Sequence, residues 1–146
     1  MLNSITRSIL RLAYYFPIRW GFVRSLNSVF PLWAASDAIY IGPSGPGATV
    51  YPELLALQQI TANAAVSDAE LYAHLSHPNP WVVCYCFEAL FARRSSLLAV
   101  LPRPLLTRPE LVSMGFTCLR SFRPLCDYIR HRLPAKYSDS ARTNEP

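Results

Sequence analysis

Residues 79–94 read NPWVVCYCFEALFARR, and within them residues 81–92 carry a single charge, at Glu88. On a helix, positions 83, 87, 90 and 91 form one face, and positions 82, 86, 89 and 93 adjoin it. Trp81, Cys84 and Tyr85 cover most of what remains. A helix that is apolar all round is buried on several sides. This one falls short of the ~20 residues that span a bilayer, so its neighbours are other helices of the same chain. Its ends are marked too. Asn79 caps the start, Pro80 fills the first position where no amide hydrogen is needed, and Arg93 and Arg94 suit the negative end of the helix dipole.

Working outward, Ser67-Asp68-Ala69-Glu70 has the form of a capping box, which predicts a short helix ending before His77-Pro78. Tyr51-Pro52-Glu53-Leu54 opens another, running through Leu57 and Ile60 to about Asn63. The same Pro-Glu-Leu triplet recurs at residues 109–111 and predicts a further helix, and Pro124 starts one that ends near Leu133. Residues 135–146 are polar and read as a frayed tail. GPSGPG, residues 42–47, is the clearest break in the chain and reads as a loop.

Before that break, residues 4–16 place Ile5, Ile9, Leu12 and Phe16 at helical spacing, with Arg7 and Arg11 off the stripe. Pro17 is expected to close this helix and open a second, whose apolar face is Phe22, Leu26, Val29 and Phe30 and which Pro31 stops. The sequence thus divides into basic amphipathic helices over 1–36, a Gly/Pro loop over 37–50, a helical core over 51–134 and a tail over 135–146. The expected fold is all-α, a short helical-hairpin stack of about six helices.

Charge and cysteine content narrow the function. Fourteen cations oppose nine acids, for a net +5. Residues 1–36 hold Arg7, Arg11, Arg19 and Arg24 with no acid, so most of the excess lies there and the rest of the chain is nearly neutral. No nucleic-acid footprint spreads across the main body, and no specific nucleic-acid partner is expected. Three of the four cysteines (Cys84, Cys86, Cys118, Cys126) sit in strongly apolar surroundings, where cysteine acts as a small hydrophobe. A helical chain of this size needs no disulfides, so the cysteines read as reduced and the compartment as cytoplasmic. Arg7, Arg11 and Arg19 interrupt every candidate signal-peptide core.

The stretch HPNPWVVCYCFEAL, residues 77–90, resembles the second helix of a HEAT-type repeat. Asn79-Pro80, Val82, Cys86 and Ala89-Leu90 fall on the family's turn, valine, small-residue and terminal positions, and SDAELYAHLSH takes the place of the first helix. The sequence departs from many repeats at Val83, where they carry arginine. The resemblance covers residues 67–94. It implies a non-enzymatic protein-binding module, of the kind that includes adaptors and toxin-neutralising immunity proteins.

Chemical motifs are weak by comparison. His74, His77, Cys84 and Cys86 invite a zinc site, but two positions on a helix stand ~200° apart, so Cys84 and Cys86 do not share an ion. Cys126 and His131 are five apart, which suits no helical catalytic pair. GPSGPG lacks the Gly-Lys-Ser/Thr ending of a phosphate loop, and Pro43 and Pro46 remove amide donors. No enzyme and no cofactor are expected. The predicted partner is another protein, contacted through His74, His77 and Asn79 at the hairpin turn and through Arg93 and Arg94 at its far end, since arginine is frequent at binding hot spots. For the basic N-terminus three readings stand: its apolar stripe packs on the core as a cap, its Arg7, Arg11, Arg19 and Arg24 side meets an anionic membrane surface, or it is a targeting segment. The membrane reading would make the protein a peripheral scaffold.

Overall fold

The computed structural model describes residues 4–21, 23–43, 49–116 and 119–133. Phe22, Cys118, most of GPSGPG and the polar tail lie outside the described residues. The order is α1 Ser4–Arg19, α2 Phe30–Ala34, α3 Pro52–Ala62, α4 Asp68–Ala73, α5 Pro80–Ala92, β1 Leu111–Phe116, β2 Leu119–Pro124 and α6 Leu125–Arg132. Short 3-10 turns fill several of the connections. The described residues are therefore mostly helical, with one two-stranded antiparallel sheet among them.

The centre is α5. Residues 82–90 are all buried, and α2, α3, α4 and α6 pack around them. Trp33 of α2 stacks on Tyr85 at 5.1 Å, and Tyr128 of α6 meets Phe87 edge-on. The Asn79 Oδ1 accepts from the Trp81 and Val82 amides, which satisfies two donors that the helix itself cannot. Ser67 caps α4 by accepting from the Glu70 amide at 3.1 Å. Both caps stand where the sequence placed them.

Three expectations fail. Pro17 lies inside α1 rather than at its end. Its ring is exposed, and the helix runs on to Arg19, two residues before Gly21, whose positive φ of 78° suits a residue without a Cβ. Pro31 does not stop a helix but occupies the first turn of α2, where proline is tolerated. The largest correction is at residues 109–124, where a β-hairpin replaces the helix expected from Pro109-Glu110-Leu111. Val112, Ser113 and Met114 are all buried, and Leu111 at the start of the strand is exposed. The Ile39 amide donates to the Ser113 carbonyl at 2.7 Å, so β1 also gains a partner from the loop after α2.

Phe87 is fully buried between α6 and the rest of α5. Phe87→Ala should lower the unfolding free energy by about 3–5 kcal/mol, through lost burial and the cavity left behind. Urea melts followed by circular dichroism will show it, and a loss under about 1 kcal/mol would mean that α5 is not central.

Candidate functional site

Helix α1 lies against the body with its arginine side inward. The Arg11 Nε donates to Glu53 Oε1 at 2.8 Å and its Nη2 to Asp37 Oδ1 at 3.0 Å. Arg7 reaches the other Asp37 oxygen at 3.5 Å. Tyr40 donates to Asp37 at 3.0 Å and stacks on Tyr51, and the Arg11 guanidinium lies over both rings, 5.5 and 5.2 Å from their centroids. The Glu53 side chain is only 2% exposed. Burial raises its pKa above the ordinary value, and the charge and hydrogen bond of Arg11 oppose that rise. Burial pushes the Tyr40 hydroxyl up to about 12, helped by the Asp37 charge. Burial alone would lower the pKa of Arg11, but Glu53, Tyr40 and Asp37 outweigh it and keep the guanidinium firmly charged.

The consequence falls on the opposite side of the helix. Ile5, Ile9 and Leu12 are 68, 61 and 67% exposed, and Trp20 just beyond the helix is 74% exposed. Ile5, Ile9 and Leu12 of the apolar stripe expected to cap the core thus face solvent instead, and the side chain of Phe16 lies outside the described ones. Of the four arginines expected to touch an anionic surface, Arg7 and Arg11 are tied to acids of their own chain. Arg19 is exposed and folds back on Tyr15, donating to its hydroxyl at 2.7 Å, and Arg24 is exposed.

The residues expected to bind a partner are mostly occupied within the fold. The His74 ring meets Phe30 edge-on at 4.5 Å, and His77 lies 5.8 Å from the same ring. The His77 Nδ1 accepts from the Asn79 amide, while its carbonyl accepts from Arg108. Asn79 also donates to the Ala34 carbonyl, which fastens the turn to the end of α2. Arg93 spends its guanidinium on five acceptors: the carbonyls of Ile60, Thr61, Asn63 and Val66, and Asp68 Oδ1 at 3.0 Å. It closes the C-terminus of α3 from outside. Arg94 is exposed, in a left-handed conformation with φ of 55°. His74, His77 and Asn79 thus come together, Arg93 and Arg94 sit at the other end of α5, and only Arg94 of the five is exposed.

A cleft of about 400 Å³ is bounded by Ile41, Leu54, Leu57, Thr61, Glu88 and Arg132. Its two charged groups serve each other, since Arg132 donates to both Glu88 oxygens, at 2.9 and 2.6 Å, and Tyr128 also donates to Glu88. Glu88 is therefore answered internally rather than by solvent. Burial pushes the thiols of Cys84 and Cys86 well above the ordinary range. Among the described residues no three or more His, Cys, Asp or Glu side chains are placed to hold a metal ion, and no described helix is long and apolar enough to cross a membrane. Comparisons with protein-family models, curated proteins and solved structures find no match to this chain.

Two measurements test this placement. Arg93→Ala should cost about 3 kcal/mol by stranding several acceptors, whereas Arg94→Ala should stay within about 0.5 kcal/mol. Equal and small effects in chemical denaturation would contradict the capping role. Burial and the nearby His77 lower the His74 pKa, so the unfolded chain binds that proton more readily. The stability this histidine contributes is present above its unfolded value of about 6.5 and is lost as pH falls below it. Melting temperatures between pH 7.5 and 5.5 should fall less steeply in His74→Phe than in the wild type; parallel slopes would reject the assignment.

Proposed function

We propose that this chain is a non-enzymatic binding protein whose contact surface is the outward apolar face of α1. The observation that carries the reading is the exposure of Ile5, Ile9 and Leu12, each above 60%, on a helix held in place by partly buried ion pairs. Side chains this apolar are left in water on a fixed helix at a cost, and a contiguous exposed patch of them marks an interaction site. The helix needs no such stripe for its own docking, because the arginine side does that work. In this reading the helices α2 to α6 form the scaffold, with α4 and α5 as a HEAT-like hairpin packed against α2 and α3. An adaptor or toxin-neutralising role is the kind of activity the resemblance of residues 77–90 suggests. Among partners, a protein fits better than an anionic membrane, because Arg7 and Arg11 face Asp37 and Glu53 rather than outward.

The test compares variants on the two candidate surfaces. Ile9→Ser with Leu12→Ser should abolish capture of the partner by the tagged full chain, with the melting temperature shifted by no more than a few degrees. Arg94→Ala should leave capture intact. The reverse pattern would move the contact surface to the far end of α5.

A further inference from the structure

An arginine meets a buried carboxylate at two places in this fold, and the two sites differ in one respect. At the first, Arg11 serves two carboxylates. Its Nε donates to Glu53 and its Nη2 to Asp37, while the guanidinium lies over the rings of Tyr40 and Tyr51. At the second, the Nε and Nη2 of Arg132 both go to Glu88, at 2.9 and 2.6 Å, and the guanidinium lies over Phe91, 4.5 Å from the ring centroid. Among the described residues no second carboxylate meets Arg132. Its side-on edge is used, but the end-on edge, made by Nη1 and the other N–H of Nη2, donates to no described residue. That edge is a second fork with which a guanidinium grips a carboxylate.

Arg132 is also one of the residues that bound the 400 Å³ cleft, and its side chain is 28% exposed against 4% for Glu88. Helices α3 and α6 both pack on α5, and the cleft lies among the three. Leu54 and Leu57, one turn apart on α3, and Ile41 from the loop after α2 give it aliphatic walls, and the small, exposed Ala92 leaves its mouth open. None of the described residues bounding it is aromatic, so a flat ring finds nothing to stack on, whereas a flexible alkyl chain meets side chains of its own kind. The volume falls low in the range of roughly 300–1,000 Å³ usual for small-molecule sites, which suits a short chain rather than a large cofactor. Charge sets the head group. Arg132 is the one cation among the described residues at the cleft, and Glu88 already draws on it. A single carboxylate can share the guanidinium, as Asp37 and Glu53 share Arg11, but a dicarboxylate or a doubly charged phosphate would bring a negative charge that nothing answers. We infer that the cleft binds a monocarboxylic acid with a short aliphatic chain, its carboxylate on the end-on edge of Arg132 and its chain along Ile41, Leu54 and Leu57. This site is separate from the outward face of α1 and does not depend on the reading given to that face.

The experiment titrates the full, ¹⁵N-labelled chain with octanoate, and separately with octan-1-ol, which lacks the charge, and with acetate, which lacks the chain. Octanoate should bind saturably, one per chain, and at least about tenfold more tightly than either control. The amide signals of Leu57, Ala92 and Arg132 should move with it. Two variants locate the contacts. Ala92→Phe fills the mouth from an exposed position, so it should weaken octanoate binding by about tenfold or more with the melting temperature within a few degrees. Arg132→Lys keeps a cation for Glu88 but removes the fork, so it should weaken octanoate about tenfold and leave octan-1-ol unchanged. If Arg132→Lys does not fold, the ligand series and Ala92→Phe decide the question alone. The inference is overturned if octanoate does not saturate, if octan-1-ol or acetate binds as tightly, or if Ala92→Phe binds octanoate as the wild type does. It is equally overturned if the shifted signals are those of Ile5, Ile9 and Leu12, since the acid would then be adhering to the exposed stripe of α1.

Discussion

Two buried carboxylates, Glu53 on α3 and Glu88 on α5, set the arrangement of everything around the two central helices. Each is nearly inaccessible to water, at 1 and 4% exposure. A buried carboxylate without a cation would be several kcal/mol too costly to keep charged. The chain answers them from its two ends. Arg11 comes from α1 to meet Glu53, and Arg132 comes from α6 to meet both oxygens of Glu88. The first and last of the described helices are thereby fastened to the middle of the molecule by groups that tolerate little misplacement. Such pairs add little net stability against an apolar alternative, but removing one partner is expensive. Their contribution is to fix which way each terminal helix faces.

That constraint explains why α1 is inside out by the usual rule. Hydrophobic burial alone would turn Ile5, Ile9 and Leu12 toward the core and leave the arginines in water. Instead the acids Asp37 and Glu53, together with the ring pair Tyr40 and Tyr51, form a site for guanidinium groups. Arginine suits such a site because its plane can stack on rings while its edge bonds to carboxylates. The helix is still anchored by apolar contact at Ile18, which is buried, so charge decides the rotation while burial at one end secures the docking. The exposed stripe is what this arrangement leaves over.

Much of the interior was legible in the sequence. The caps at Ser67 and Asn79, the start of α3 at Pro52 and the all-round burial of α5 follow from spacing and residue type, because they are decided within a few residues of chain. The failures share the opposite cause. Pro52-Glu53-Leu54 and Pro109-Glu110-Leu111 are the same triplet, yet the first opens a helix and the second leads into a strand. At the second site Glu110 turns back to Arg108 at 2.6 Å, and the Ser113 carbonyl accepts from the distant Ile39 amide, so tertiary contact overrides local preference. The apolar–polar alternation of Val112, Ser113, Met114 and Gly115 was the available signal. The rotation of α1 could not be read, since it depends on acids 26 and 42 residues away. Arg93 was singled out as a partner contact, but the acceptors it serves are four backbone carbonyls and Asp68 of its own chain, brought near only by the fold.

The Arg93 contact also gives the chain a temporal order. Helix α3 ends at residue 62, but the side chain that closes its last carbonyls lies about thirty residues further along. During synthesis at roughly 5–20 residues per second, those carbonyls stay bonded to water for some seconds before their donor exists. The end of α3 is thus completed only when the end of α5 has been made and has swung into place. Two helices that look like separate local units are finished in a single step, by one residue, and the later helix sets the moment at which the earlier one becomes whole.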